Sequence, residues 1–401
     1  MKTLTRAIPL LMVMVVSMPS GSFGGGADDI SHQTLDASAA EQSPLDQELL
    51  ECMTQAHLPS VTACIIKDDR LAWHNAYGLA DVEQTIPATL ETVYMAGSIS
   101  KVFTATAFLQ LYEQGYFDLD GDVSIYLPFP LRNPHFPDVP ISFRMLLAHQ
   151  SSLQERLSAF LYFDLAAYPL DRLKEYLTPG GRLYDPQVWS SSYGPGEGFE
   201  YANIGYEVLR YLFLLIRGET LEAYCAEHIF APLGMTQTGF HLSDFSVSKL
   251  AVPYTWRGWT YVPFPHHDGG MTAAGGIRTT IVDLARFFSA HMSGGVYQGV
   301  RILEPDTVEL MHREQYPENP DPFLSYGLGW MMEWSDGEIY EGHSGSVFGS
   351  VAFMFYRPTD RVGVIILANK NRVVQLIPHP LESAGFIDLQ EALFAYGSSL
   401  P

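Results

Sequence analysis

The sequence predicts an α/β (α+β) fold in which an antiparallel sheet, built from both chain ends and flanked by helices, holds an inserted, mostly helical lobe. Short β-branched and aromatic segments lie near residues 61–77 and again near 338–368. Between them, segments with apolar residues at helical spacing alternate with loops rich in proline and glycine. Strands at both ends with helices between them favour one sheet that encloses a helical insertion.

The composition supports a large hydrophobic core and disfavours two classes of partner. Of the 401 residues, 47% are hydrophobic and 17% are charged, which excludes a disordered or fibrous protein. The formal net charge is -22, with 23 Lys and Arg against 45 Asp and Glu. A charge of that sign repels phosphate backbones and anionic lipids, so nucleic acid and membrane surfaces are disfavoured as partners. The oligomeric state is left open.

The amino terminus has the residue order of an export signal. Lys2 and Arg6 come first, residues 7–16 are apolar, and residues 17–26 are small. The apolar run is shorter than the ~20 residues that span a bilayer, so we predict a signal peptide over residues 1–24. The alternative is a buried strand or helix near the terminus. The prediction implies an exported protein, periplasmic or secreted, with no stable membrane anchor after signal removal.

Composition and periodicity divide the rest of the chain. Residues 25–44 are rich in glycine, serine and alanine and predict a flexible linker. Residues 45–396 predict a single domain, with a sheet lobe at about 45–97 and 270–396 and a helical lobe at about 98–269. The predicted helices cover 45–56, 98–115, 171–177, 204–216, 221–229, 283–292, 305–312 and 381–395, and the predicted strands cover 61–67, 71–77, 338–340, 350–356 and 362–368.

The chain has three cysteines, Cys52, Cys64 and Cys225. An odd and small number does not make a disulfide framework. A Cys52–Cys64 bridge in an oxidising compartment stays open, but three buried, unreactive thiols are the favoured interpretation.

Several common catalytic signatures are absent from the sequence. It has no Gly-x-Ser-x-Gly, His-Glu-x-x-His, Cys-x-x-Cys or phosphate-binding Gly-Lys-Ser/Thr motif. The cluster of His266, His267 and Asp268 is consecutive, whereas metal ligands on a helix lie three or four residues apart. We therefore predict no metal site at this cluster.

A Ser-x-x-Lys motif occurs twice. Ser98 and Lys101 open a predicted helix, whereas Ser246 and Lys249 lie in a short polar stretch that Pro253 soon ends. Residues three apart share one face of a helix, so the amine of Lys101 can reach the hydroxyl of Ser98. A serine becomes a good nucleophile when a neighbour takes its proton, and a lysine can do so once burial lowers its pKa. Taken alone, the motif also fits a serine helix cap followed by a solvated lysine.

Two further motifs offer polar groups that suit acyl transfer. Tyr201 and Asn203 form a Tyr-x-Asn motif after a glycine-rich loop, and an extended backbone would turn both side chains toward one site. His343 and Gly345 form a His-x-Gly motif that closes a predicted strand, where a backbone N–H can stabilise a developing oxyanion. The alternatives are a surface loop with an incidental tyrosine and the second His-x-Gly motif at His267.

In their order along the chain, the three motifs resemble those of the serine β-lactamase and penicillin-binding protein superfamily. The resemblance is strongest to the branch that holds class C β-lactamases, Tyr-type D-alanyl-D-alanine carboxypeptidases and β-lactamase-like esterases. It covers about residues 45–395, implies a β-lactamase/transpeptidase-like fold, and favours Ser98 over Ser246 and His343 over His267. Supporting segments follow in the family's order at 96–104, 122–128, 146–153, 232–235, 274–277, 283–287 and 326–330.

The resemblance implies a covalent mechanism without metal or cofactor. Ser98 would attack a carbonyl carbon and become acylated, and water would then release the acyl group. Lys101 and Tyr201 would share the proton transfers, with the identity of the base left open.

The resemblance also implies a set of substrate contacts. Asn203 would contact the acyl portion, and His343 and Gly345 would line the substrate site. The backbone N–H groups of Ser98 and Ser346 would form the oxyanion hole.

Two positions depart from the family pattern. His343 stands where class C β-lactamases carry the lysine of Lys-Thr-Gly, and a mostly neutral histidine binds a β-lactam carboxylate less firmly. Ser152 stands where relatives usually have glycine.

The sequence therefore predicts an exported serine hydrolase that cleaves an amide or ester in a small-molecule or short-peptide acyl substrate. A D-alanyl-D-alanine carboxypeptidase-like peptidase or an esterase is favoured. The alternatives are a class C-like β-lactamase and a non-catalytic protein that binds cell-wall peptide or penicillin.

Overall fold

The computed structural model describes residues 43–156, 170–268, 271–318, 325–335, 337–370 and 380–401. The predicted signal peptide and nearly all of the predicted linker lie outside these ranges. Across the described ranges, no helix has the length and apolarity needed to cross a bilayer.

The strands lie mainly at the two ends of the described chain. They are β1 Ser60–Lys67, β2 Arg70–Asp81, β3 Ile86–Pro87, β4 Tyr94–Met95, β5 Tyr254–Trp256, β6 Tyr261–Pro263, β7 Arg278–Thr279, β8 Val296–Tyr297, β9 Val300–Arg301, β10 Ser325–Tyr326, β11 Met331–Ser335, β12 Glu338–Val347, β13 Ser350–Arg357 and β14 Val362–Ala368.

The helices fill most of the chain between the strands. They are α1 Pro44–Gln55, α2 Ser100–Glu113, α3 Phe143–Leu147, α4 Leu170–Leu177, α5 Asn203–Arg217, α6 Leu221–Cys225, α7 Ala231–Leu233, α8 Thr272–Gly275, α9 Ile281–Met292, α10 Pro305–His312 and α11 Pro380–Ser399.

The main sheet is antiparallel and joins the two ends of the chain. Within the described residues it has eight strands in the order β10-β11-β12-β13-β14-β1-β2-β3. In its interior the late strand β14 pairs with the early strand β1, with Val61 opposite Ala368. The predicted sheet built from both chain ends is therefore confirmed, and helices α2 to α7 form the inserted lobe.

Both faces of the sheet are buried at its central strands, β14 and β1. Successive residues of a strand point to opposite faces, so Ile65 and Ile366 pack with α1 and α11, whereas Cys64 and Ile365 belong to the cluster on the opposite face, where α9 lies against β1 and β14. This explains why β14 reads as one uninterrupted apolar run in the sequence.

Strand β12 differs from the prediction, because it continues through His343 to Val347 instead of ending at residue 340. Glycines normally weaken a strand. Here the glycine at 342 is required by packing, since a Cβ at Gly342 would lie 1.9 Å from the carbonyl oxygen of Met354 on the neighbouring strand. Strand β11 was also not predicted.

The structure confirms the favoured interpretation of the cysteines. Cys52, Cys64 and Cys225 are all free and buried, so the Cys52–Cys64 bridge is not formed. Burial raises the pKa of each thiol, to about 11 for Cys52, which leaves little reactive thiolate at neutral pH.

Candidate active site

Ser98 lies on a short 3-10 turn, Gly97–Ile99, immediately before α2. The Ser100 hydroxyl fixes this turn by donating to the Gly97 carbonyl at 2.6 Å and accepting from the Ile277 N–H at 2.9 Å. Ser98 stays partly exposed, whereas the first three turns of α2 behind it are buried. A fixed and accessible hydroxyl at the end of a buried helix is well placed to meet a substrate.

The amine of Lys101 is completely buried and has three close oxygen neighbours. Nζ lies 3.1 Å from Ser98 Oγ, 2.6 Å from Asn203 Oδ1 and 2.8 Å from the Ala274 carbonyl oxygen. Burial lowers the pKa of Lys101 to about 7, partly opposed by two nearby carboxylates. Near neutral pH, a large fraction of this amine is therefore uncharged.

Tyr201 and Asn203 face the same site because the residue between them is extended. Ala202, which precedes α5, has φ -128° and ψ 110°. The Tyr201 phenol lies within interaction range of the Ser98 side chain, and Lys101 Nζ lies 4.8 Å from the centre of the Tyr201 ring. Burial raises the pKa of Tyr201 above its ordinary value, so the phenol keeps its proton at neutral pH. The structure thus brings Ser98, Lys101, Tyr201 and Asn203 together.

His343 lies beside this group, but its ring is buried and both of its nitrogens are occupied. Nδ1–H donates to the Ser344 carbonyl, because a carbonyl can only accept. Nε2 must then accept from the Tyr326 hydroxyl at 2.8 Å. Burial and the Lys101 charge lower the pKa of His343 to about 3, so the ring is neutral. The imidazole therefore has no free N–H for a substrate carboxylate, and its predicted substrate contact stays a prediction.

Gly345 brings strand β12 into direct contact with the turn that carries Ser98. A Cβ at Gly345 would lie 1.9 Å from the Ala96 carbonyl oxygen and 3.1 Å from Ser98 N. Gly97, with φ +55°, approaches from the other side, and a Cβ there would lie 2.8 Å from Ser346 N. The backbone nitrogens predicted to form the oxyanion hole are therefore near neighbours.

We expect Gly345→Ala to reduce kcat/KM by roughly 10²-fold, because β12 must shift away from the turn and move the Ser346 N–H out of position. Overpacking should lower the free energy of unfolding by about 1–3 kcal/mol. Ester hydrolysis and urea denaturation measure the two effects. Gly205→Ala is the control, since a Cβ there meets its nearest atom only at 3.8 Å. Wild-type kinetics in Gly345→Ala would contradict the tight approach.

The second Ser-x-x-Lys motif and the second His-x-Gly motif lie away from the residues gathered around Ser98. Ser246 contacts Ser248 at 2.9 Å, and the exposed Lys249 donates to Gln237 at 2.8 Å instead of to Ser246. The His267 ring lies beside Phe348. Among the described side chains, no group of three or more His, Cys, Asp or Glu residues is arranged to hold a metal ion.

Ser152 has a conformation that glycine adopts freely, with φ +60°. Its hydroxyl accepts a hydrogen bond from Asn133 Nδ2 at 3.0 Å. The serine therefore keeps the turn that a glycine would form and adds one buried hydrogen bond.

Sequence reasoning missed four residues that surround the group. Glu155 and Glu207 place carboxylates near Lys101, His149 accepts from the Ala202 N–H at 3.1 Å, and Tyr326 donates to His343. None belongs to a short catalytic motif. The one available signal was that His149 and Tyr326 lie in segments that match the family's order.

Comparisons with known proteins identify the family of the chain. The model of the Beta-lactamase family matches residues 45–377. Protein flp of Staphylococcus aureus is 24% identical over 348 residues, which are 84% of this chain and 65% of that protein. The chain therefore spans just under two thirds of the length of this curated relative.

Three solved structures share the fold. A penicillin-binding protein homologue from Pyrococcus abyssi, described as octameric, has a TM-score of 0.72 and 26% identity and covers 89% of this chain and 78% of its own. D-amino acid amidase from Ochrobactrum anthropi has a TM-score of 0.69 and 20% identity, over 88% and 99% of the two chains. EstCE1, a hydrolase with promiscuous acyltransferase activity, has a TM-score of 0.68 and 22% identity, over 87% and 98%.

The resemblance predicted from the three motifs is thus confirmed. The family match covers most of the described chain, and the solved structures have the same mixed sheet-and-helix architecture. The chain belongs to the Beta-lactamase family of serine hydrolases.

Proposed function

We propose that this chain hydrolyses an amide or ester bond through a covalent acyl-enzyme on Ser98, as a D-alanyl-D-alanine carboxypeptidase-like peptidase or an esterase. The observation that carries the proposal is the contact between a buried Lys101 amine and the Ser98 hydroxyl. The similarity to an amidase and to the hydrolase EstCE1 supports acyl transfer as the chemistry.

The hydrogen-bond partners of Lys101 favour the amine as the base. A neutral amine has two N–H groups and one lone pair. Asn203 Oδ1 and the Ala274 carbonyl can only accept, so they take the two N–H groups. The lone pair then points at the third neighbour, Ser98 Oγ, and can take its proton as the hydroxyl attacks a carbonyl carbon.

Tyr201 then acts as the proton donor. Its raised pKa disfavours a phenolate base, but a phenol beside Ser98 can pass a proton to the leaving group. The leaving group departs with that proton, and the proton held by Lys101 restores the phenol. Water then takes the place of the leaving group and attacks the acyl-enzyme. The same proton transfers run in reverse, return a proton to the Ser98 oxygen and free the hydroxyl.

The neutral and fully bonded His343 disfavours a class C-like β-lactamase and leaves a peptidase or an esterase open. Neither ring nitrogen is available to bind a β-lactam carboxylate. A non-catalytic binder is disfavoured because such a protein has no need for a buried, uncharged lysine, which is costly to maintain.

A panel of substrates and covalent probes tests the proposal. We expect labelling by a fluorophosphonate, and turnover of a p-nitrophenyl ester or a D-alanyl-D-alanine peptide that exceeds turnover of a chromogenic cephalosporin. If the protein takes neither a fluorophosphonate nor a fluorescent penicillin and hydrolyses none of the substrates, it is a binding protein and not an enzyme.

We also propose that the chain is exported. The support is the order of Lys2, Arg6 and the apolar run at residues 7–16. Cell fractionation and amino-terminal sequencing of the mature protein test this proposal. A protein that stays in the cytoplasm with its first residues intact would contradict it.

The plot of kcat/KM against pH should show an acidic limb, a fall in activity toward low pH, that begins near pH 7. Only the neutral form of Lys101 can accept the Ser98 proton, and burial lowers its pKa to about 7. Below that pH the amine gains a proton, so kcat/KM should fall about tenfold for each further pH unit. Hydrolysis of an uncharged ester between about pH 5 and pH 9 measures the limb. If the acidic limb instead lies at the pH where an ordinary lysine titrates, Lys101 is not a base of lowered pKa.

A further inference from the structure

Two carboxylates carry the negative charge nearest to Lys101. Glu155 lies in the loop after α3, and Glu207 lies on α5. Both favour the charged form of the lysine and so oppose the effect of burial on its pKa. The other titratable groups that face the amine are uncharged near neutral pH, namely Tyr201, Tyr206, His149 and His343.

Glu155 is bound to the same asparagine that binds Lys101. The backbone N–H of Asn203 donates to Glu155 Oε2, and the carboxylate also lies within interaction range of the Asn203 side-chain amide. On the other side of the amide, Asn203 Oδ1 accepts from Lys101 Nζ at 2.6 Å. Glu155 Oε1 is buried and has no hydrogen-bond partner among the described residues. One amide therefore connects the carboxylate to the lysine.

We propose that Glu155 is a positioning residue for Lys101. Its carboxylate holds the Asn203 amide with the oxygen toward the lysine, and its charge sets the pH range in which Ser98 can be activated. This inference rests on the proposed function of Ser98 and Lys101.

The orientation follows from the chemistry of the groups. An amide has one accepting oxygen and one donating nitrogen, and an ionised carboxylate can only accept. Glu155 therefore binds the nitrogen side of Asn203 and leaves the oxygen side for the lysine. If the amide turned over, an N–H of Asn203 would point at Lys101 Nζ, and the lone pair of the amine would have to accept it. The lone pair of the amine would then no longer be directed at Ser98.

The charge effect has a definite sign. The negative charge of Glu155 stabilises the lysine ammonium, so removing it should lower the pKa of Lys101 further. Burial raises the pKa of Glu155 itself to about 7, so the two groups titrate in the same range and are coupled. A glutamine fixes position 155 in the neutral state and separates the two titrations.

The test is Glu155→Gln in the full-length protein. We expect the acidic limb of kcat/KM to move to lower pH by roughly one unit. On the plateau we expect kcat/KM to fall roughly tenfold, because the charged hydrogen bonds that hold Asn203 are lost. Glu333→Gln is the matched control, since Glu333 on β11 is also a carboxylate whose pKa burial raises to about 7. We expect that control to leave both the limb and the plateau unchanged.

A titration of lysine labelled with ¹³C at Cε measures the Lys101 pKa without any substrate. A lowered Lys101 pKa in Glu155→Gln supports the inference, and an unchanged pKa and limb overturn it. Loss of all turnover in the wild type would refute the proposed function, whereas this titration would still test the role of Glu155.

Glu155→Asp provides a second measurement if the glutamine variant does not fold. The shorter carboxylate keeps its charge but pulls away from Asn203. We expect the limb to stay at the wild-type pH while the plateau falls several-fold. A wild-type plateau in Glu155→Asp would overturn the inference.

Discussion

Replacing Ser98 with alanine is expected to abolish turnover and leave the fold intact. The proposed acyl-enzyme forms on this hydroxyl, so kcat/KM for a p-nitrophenyl ester should fall on the order of 10⁴-fold or more. The hydroxyl contacts only Lys101 and Tyr201 among the side chains described above, and the residue is partly exposed. Its loss should therefore change the melting temperature by no more than a few degrees. Covalent labelling by a fluorophosphonate should disappear as well.

Ser246→Ala is the matched control for this experiment. It removes the serine of the other Ser-x-x-Lys motif, whose exposed hydroxyl contacts Ser248 and whose lysine binds Gln237. We expect its activity and labelling to equal those of the wild type. Equal losses in the two variants would refute the choice of Ser98 as the nucleophile.

Tyr201→Phe is expected to slow the reaction by roughly 10²–10⁴, the range for a lost acid–base group. The substitution keeps the ring, which lies 4.3 Å from the His149 ring centre and 4.8 Å from Lys101 Nζ. Only the hydroxyl beside Ser98 is removed, so packing and the Lys101 environment should persist. The effect should therefore appear mainly in kcat, which steady-state kinetics on esters with leaving groups of different basicity can measure.

The dependence on the leaving group gives this prediction its control. An ester with a good leaving group needs little protonation and should lose less rate than an alkyl ester. Tyr193→Phe, on the same loop, removes a hydroxyl that lies 3.4 Å from Glu200 and should change little. An unchanged rate in Tyr201→Phe would assign all proton transfer to Lys101.

The parts of the site that sequence reasoning predicted are those set by short-range geometry. Ser98 and Lys101 are three residues apart at the start of a helix, and Tyr201 and Asn203 flank one extended residue. Helical and extended backbones fix such pairs regardless of the rest of the chain. The sheet was predicted for a similar reason, because β1 and β14 are strongly apolar and rich in β-branched residues.

The parts that were missed depend on tertiary contacts. The Tyr326 hydroxyl, 17 positions earlier in the chain, donates to His343 Nε2. The His-x-Gly motif alone could therefore not show that both imidazole nitrogens are hydrogen-bonded. Glu155 reaches Asn203 across 48 positions of the chain. Whether Asn203 binds substrate or binds Lys101 is decided by neighbours that no local pattern contains.

The pairing of β1 with β14 also has a consequence for biogenesis. Its partners, such as Val61 and Ala368, lie about 300 positions apart along the chain, and they form an interior seam of the main sheet. A nascent polypeptide cannot close that seam until its last strand has left the ribosome. The native sheet should therefore form only after β14 has been synthesised, and a stop codon upstream of β14 should yield an aggregation-prone fragment instead of a smaller folded protein.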